Sequence, residues 1–123
     1  MFDHIGVNVK DYAASRAFYQ QALEPLGYGI VMDMAEWKAV AFGTDEKPTF
    51  WVCQREPYGT GTHLAFQTDD RETVHAFYDA AVAAGGTDNG PPGPRPQYTP
   101  TYYAAFVHDL DGNNVEAVCH KPE

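Results

Sequence analysis

Two imidazoles and one carboxylate stand out in this sequence as groups able to hold a metal ion. His4 opens the run I-G-V-N-V, His63 opens L-A-F-Q-T, and Glu116 interrupts N-V-E-A-V. In a strand, side chains alternate between faces. Ile5, Val7 and Val9 therefore share one face, and His4, Gly6 and Asn8 the other. In the second run Leu64 and Phe66 oppose His63, Ala65 and Gln67, and in the third Val115, Ala117 and Cys119 oppose Asn114, Glu116 and Val118. A glutamate inside an apolar strand is costly to bury unless it is paired. Two imidazoles and a carboxylate can cap one face of a divalent transition metal (Fe, Mn, Ni, Zn or Co) and leave positions open for substrate and water. Oxygen-seeking Ca or Mg suits two imidazoles less well. Taken singly, His4 reads as an ordinary strand-end histidine and Glu116 as a weak signal. What couples them is a repeat.

At a shift of 59 residues, positions 4–27 pair with 63–86, and 7 of the 24 pairs are identical: His4/His63, Asp11/Asp70, Ala17/Ala76, Phe18/Phe77, Tyr19/Tyr78, Ala22/Ala81 and Gly27/Gly86. Average composition gives about one or two such matches by chance. The chain therefore reads as two copies of strand, helix and three strands in one domain, with module 1 at 1–56 and module 2 at 62–123.

Asp11 and Asp70 are N-caps for helices expected over 12–24 and 71–84. Their apolar stripes fall on Ala14, Ala17, Phe18, Gln21 and Ala22 in the first, and on Val74, Phe77, Tyr78, Ala81 and Val82 in the second. Further strands are expected over 28–34, 37–42, 49–54, near 87–89, and over 101–108 and 114–119, the last two joined by an Asp-Gly turn. That Asp109–Asn113 segment lacks the rest of a calcium loop and reads as a hairpin. Between modules, Pro57, Gly59 and Gly61 mark a linker; six of the seven residues in 90–96 are Gly or Pro, a stiff loop carrying Arg95. His75 reads as helix surface, His108 as a turn residue and His120 as solvated.

The chain has 123 residues, 44% of them hydrophobic, and a net charge of −9 with only 8 Lys and Arg. Nucleic-acid binding needs clustered positive charge and is excluded. The acidity suits solubility and favours a cationic ligand or a metal. No run is long and apolar enough to span a bilayer, and no leader is expected at the N-terminus. Cys53 and Cys119 lie in no C-x-x-C motif, as expected of reduced thiols in a cytoplasmic protein.

The doubled β-α-β-β-β pattern, the strand-opening histidines and D-x-D-G-N-x-x-E at Asp109–Glu116 resemble the vicinal oxygen chelate superfamily of glyoxalases, extradiol dioxygenases, and fosfomycin and bleomycin resistance proteins. The resemblance covers nearly the whole chain. It implies an α+β fold in which two βαβββ modules form a cupped, barrel-like mixed sheet with helices outside and a metal within. It also implies a homodimer and a small-molecule substrate that chelates the metal through neighbouring oxygens. The family's ligand positions, carried over, fall on His4, His63 and Glu116; the fourth falls on Phe50-Trp51-Val52, which supplies no ligand. The remaining His-His-Glu set is similar to that of extradiol dioxygenases, with glyoxalase-like lyase or isomerase chemistry as the neighbouring alternative. The rival is a metal-free protein of the bleomycin resistance type that sequesters a cationic small molecule.

Around that site Trp51 or Phe50 is expected to wall the pocket. One of Tyr102 and Tyr103 should face the cup, since their side chains alternate. Tyr103 or Tyr98 is the candidate general acid, Tyr102 a substrate contact, and Arg95 a clamp for a substrate carboxylate.

Overall fold

The computed structural model describes residues Met1–Glu123. Module 1 runs β1 (Ile5–Val9), α1 (Tyr12–Leu23), β2 (Gly29–Met34), β3 (Ala39–Gly43) and β4 (Phe50–Gln54). Module 2 runs β5 (His63–Thr68), α2 (Arg71–Ala83), the two-residue strands β6 (Thr87–Asp88) and β7 (Gly93–Pro94), then β8 (Tyr103–His108) and β9 (Asn114–Cys119). Each module makes its own mixed sheet. The orders are β1-β4-β3-β2 and β5-β9-β8-β6, with β7 also on β8. The first strand pairs parallel to the last in both, β1 with β4 and β5 with β9. The two sheets are not hydrogen-bonded to each other and do not close into a barrel.

Both helices begin where the aspartates place them. Asp11 accepts from the Ala14 amide at 3.1 Å, and Asp70 from the Thr73 amide at 2.7 Å. The buried face of α1 is turned from the expected stripe: Ser15, Phe18, Tyr19, Ala22 and Leu23 are buried, while Ala14, Ala17 and Gln21 face solvent. In α2, Val74, Phe77 and Ala81 are buried, and Val82 is exposed. The large side chains set the phase, because each removes far more apolar area from water than an alanine. Gly27, at φ 82°, ends the short 3-10 turn Glu24–Leu26 that follows α1.

The helices pack on each other and on one face of both sheets. Val7 and Val9, Phe50 and Val52, Leu64 and Phe66, and Val115 and Ala117 all turn to this single core. Phe66 joins the modules, with its ring edge-on to Phe50 at 5.4 Å and to Tyr28 at 5.3 Å. A second joint is polar. The buried Tyr19 hydroxyl of α1 donates to the Asp109 carboxylate in the β8–β9 hairpin. Asp109 also accepts from the amides of Asp111 (2.9 Å) and Asn113 (2.8 Å) and from the Asn113 side chain (2.9 Å). Asn113 in turn accepts from the Thr62 amide at 3.3 Å, and the Asn114 amide donates to the Thr62 carbonyl at 2.8 Å. This hub fixes the starts of β5 and β9 side by side, one residue before His63 and three before Glu116.

Candidate functional site

With the helices on one face, the opposite face of each sheet is open. On module 2 the register sets Ala65 beside Glu116 and Glu116 beside Phe106, which puts His63, Glu116 and Phe106 on the open side. The His63 Nε2 lies 2.9 Å from Glu116 Oε1, and the Tyr102 hydroxyl donates to Oε2. Glu116 is only 1% exposed although it is on the open face, while the His63 side chain is 52% exposed. Tyr102, His63 and Phe106 cover the carboxylate, and both its oxygens are satisfied, which is what lets a charge sit there. Desolvation first, and the bond to Glu116 second, push the Tyr102 phenol up to about 12. It is therefore a proton-bearing donor throughout the physiological range.

An imidazole nitrogen and a carboxylate oxygen make an N,O donor pair suited to a divalent transition metal. Bonds of about 2.1 Å at right angles would separate two ligand atoms by about 3.0 Å, close to the spacing of His63 and Glu116. The pair thus fits as two ligands. A third is not supplied nearby: no three His, Cys, Asp or Glu side chains converge within the chain.

His4, the expected third ligand, is elsewhere. It borders a cavity of about 230 Å³ at the seam between the sheets, together with Ala65 and Gln67 of β5. It thus lies beside the middle and far part of β5, and His63 and Glu116 line a different cavity that His4 does not reach. Its side chain is 56% exposed, with Nδ1 2.8 Å from the Asp3 carboxylate. A carboxylate on one ring nitrogen orients the ring and leaves Nε2 as the free lone pair, as in many metal-bound histidines.

His4 also lines a second, larger concavity on the open face of module 1, about 450 Å³. Here Gly6 and Ala41 flank Trp51 in register, and Ala39 and Asn8 flank Cys53. These small neighbours leave room for the indole. Met34 pairs with Ala39 at the next strand. Trp37 is not in a strand as expected; it ends the 3-10 turn Ala35–Trp37, with Lys38 at φ 52° closing it, and is 73% exposed above the same face.

The other expected site residues divide by strand parity. Tyr102 is the tyrosine that faces the open side. Tyr103 is on the helix side instead, where its hydroxyl lies 2.6 Å from His75 Nε2 and its ring under Arg71, so it is not beside His63 and Glu116. Tyr98 packs edge-on against Tyr102 at 5.0 Å and borders the His63–Glu116 pocket. Trp51 walls the module 1 concavity. Phe50, one residue away, points to the core between Tyr19 and Phe66. Arg95 is held by its own loop, donating to the carbonyls of Gly93 (2.8 Å) and Pro91 (2.7 Å), with its guanidinium 5.4 Å from the Phe106 ring centre. These bonds tie the guanidinium to its own loop and leave Nε without a partner. Sequence reasoning passed over Phe106, Trp37, Met34 and Arg55. For Arg55 a signal existed: Trp51, Cys53 and Arg55 alternate along one strand and its extension, and so share a face.

The family described as Glyoxalase/Bleomycin resistance protein/Dioxygenase superfamily matches residues 1–117. No curated protein sequence matches the chain. Among solved structures, a glyoxalase/bleomycin resistance protein from Albidiferax ferrireducens T118 superposes with TM-score 0.79 at 30% identity, covering 98% of this chain and 99% of that one. Lactoylglutathione lyase from Agrobacterium tumefaciens shares the fold at TM-score 0.70 and 18% identity, over 96% and 92% of the two chains. A fosfomycin resistance protein, FosX, from Listeria monocytogenes, solved with Mn(II) and a dihydroxypropylphosphonic acid, shares it at TM-score 0.71 and 21% identity, over 98% and 90%.

Proposed function

Because the chain belongs to the glyoxalase/bleomycin resistance protein/dioxygenase superfamily, we propose that it is a metal-dependent enzyme acting on a small substrate with neighbouring oxygens, by glyoxalase-like lyase or isomerase chemistry or by dioxygenase chemistry. The observation that carries this reading is the His63–Glu116 pair at 2.9 Å on an open face, with Tyr102 on the far carboxylate oxygen. His63 and Glu116 of one chain would hold the ion, and His4 of a second copy would complete the set, making the working form a cytoplasmic homodimer. A divalent metal bound there supplies Lewis acidity toward a hydroxyl or a developing oxyanion.

The chain's own residues do the rest. Tyr102 keeps its proton and, with its one O–H given to Oε2, holds the Glu116 carboxylate in one orientation. Phe106 and Tyr98 wall the approach and limit access of water. His4, exposed and oriented by Asp3, is available to another molecule as it is not to its own His63. A two-fold arrangement offers each module 1 face to the module 2 face of the other copy.

A second reading has one observation in its favour. Both Glu116 oxygens are already paired within the chain, so a metal-free protein that sequesters a cationic molecule between aromatic walls is also self-consistent.

Metal analysis of untagged protein, reconstituted in turn with Fe(II), Mn, Ni, Zn and Co, separates the two. The enzyme reading expects one ion per chain, lost in His63→Ala and in His4→Ala. Re-equilibrated mixtures of the two variants should recover about a quarter of the sites, because half the dimers are mixed and each mixed dimer has one intact set. Wild-type protein that takes up no stoichiometric metal would refute it. Full uptake by a monomer would refute the shared site.

A further inference from the structure

The module 1 concavity is not explained by metal binding, and its lining specifies a ligand. It holds both tryptophans of the chain, Trp37 and Trp51, together with Met34, over a floor of Gly6 and Ala39. That is a slot for a flat apolar ring. Its volume of about 450 Å³ is within the range of small-molecule sites.

Of the polar groups at its rim, His4 is paired through Nδ1 with Asp3. The Asn8 amide donates to the Pro57 carbonyl at 2.9 Å. Arg55 is the one cationic side chain in the lining that is always charged. Arg16 is paired with Asp33, Arg71 with Glu123, and Arg95 with loop carbonyls. Only the Arg55 guanidinium, of the four arginines, has no hydrogen bond or ion pair. In a chain of 17 acidic residues and net charge −9, a cation left unpaired with Glu56 as its neighbour is poised for an anion from outside. The guanidinium fork matches a carboxylate bidentately.

We infer that the module 1 concavity binds a small aromatic monocarboxylate, its ring between Trp37 and Trp51 and its carboxylate on Arg55. The slot is complete within one chain and needs no metal. Its link to catalysis rests on the reading above: His4 lines the same concavity, so a ring seated there lies beside the proposed metal set, and the inference then names the substrate class.

Trp37 and Trp51 are the only tryptophans, so intrinsic fluorescence reports on this slot directly. Metal-free, full-length protein is titrated with 3-phenylpropionate, its neutral amide and 3-phenylpropylamine. The acid should change the emission saturably and bind at least tenfold more tightly than the amide. Arg55→Gln, at an exposed position, should weaken the acid by roughly tenfold to a hundredfold and leave the amide within about twofold. Trp51→Phe should remove most of the signal change. Equal binding of acid and amide, preference for the amine, or an acid affinity unchanged by Arg55→Gln each overturns the inference. Metal uptake, measured on the same preparations, tests the enzyme reading independently: loss of either result leaves the other standing.

Discussion

Replacing Tyr19 by phenylalanine removes one hydroxyl from a fully buried site and leaves the ring in place. The ring's packing against Phe18 and Phe50 is untouched, with centroids at 4.9 and 5.1 Å. What is lost is the bond to Asp109. A hydrogen bond to a charged group contributes about 1.5–3 kcal/mol. Asp109 keeps its other three donors, so the cost falls toward the lower end, about 2 kcal/mol. For a chain of 123 residues that lowers Tm by about 8 °C. Asp109→Ala removes all four bonds and strands buried donors, at a cost of about 4 kcal/mol. Urea unfolding of wild type, both single variants and the double variant, at one protomer concentration, measures the coupling directly. A Tyr19→Phe variant within about 0.5 kcal/mol of wild type, or additive single effects, would refute the view that this bond joins the modules.

The repeat pairs Gly27 with Gly86, but the two glycines are needed for different reasons. A Cβ on Gly86 would lie 2.5 Å from Val107 Cγ1 and 2.9 Å from Phe18 Cε1, so Gly86→Ala should cost about 1–3 kcal/mol through overpacking in chemical denaturation. Gly27 has open space around it and φ +82°, so Gly27→Ala should cost about 1 kcal/mol through backbone strain alone. Tyr102, raised to about 12 against an ordinary value near 10, binds its proton more tightly when folded. Its contribution is therefore complete below pH 10 and is lost as pH rises from about 10 through 12; buried Tyr19 is also held above the ordinary phenol range, so absorbance titration should show several late phenols, of which Tyr102→Phe removes one. The same variant should weaken metal uptake by roughly tenfold, because Glu116 loses the group that orients it; unchanged uptake would count against that role.

The fold was legible because it is periodic twice over. Strand alternation identified the faces of β1, β5 and β9, and the shift of 59 residues identified two modules. The helical stripes were read one position out in α1, since alanine counts as apolar in any tally while Tyr19 and Leu23 dominate the buried area. The site was half legible. Parity gave the face of His63 and of Glu116 each within its own strand and left Tyr102 and Tyr103 as alternatives; the register brought the first two together and chose between the tyrosines. The separation of His4 from His63 could not be read, because a repeat defines each module but not how two sheets without a shared hydrogen bond sit against each other. Arg55 was missed because a charge in a Pro- and Gly-rich stretch looks like any linker charge until it is seen to have no partner within the chain.

That each module keeps its own open face has a consequence for how such a protein can change. The donor pair His63–Glu116 and the tryptophan slot are borne by different halves of one chain, joined through helices and a buried core neither face touches. Trp37, Met34 and Arg55 can therefore be substituted without touching the His63–Glu116 pair, although His4 borders the same concavity. Exchanging residues 29–55 between relatives would carry Met34, Trp37, Trp51 and Arg55 together and leave His63 and Glu116 in place.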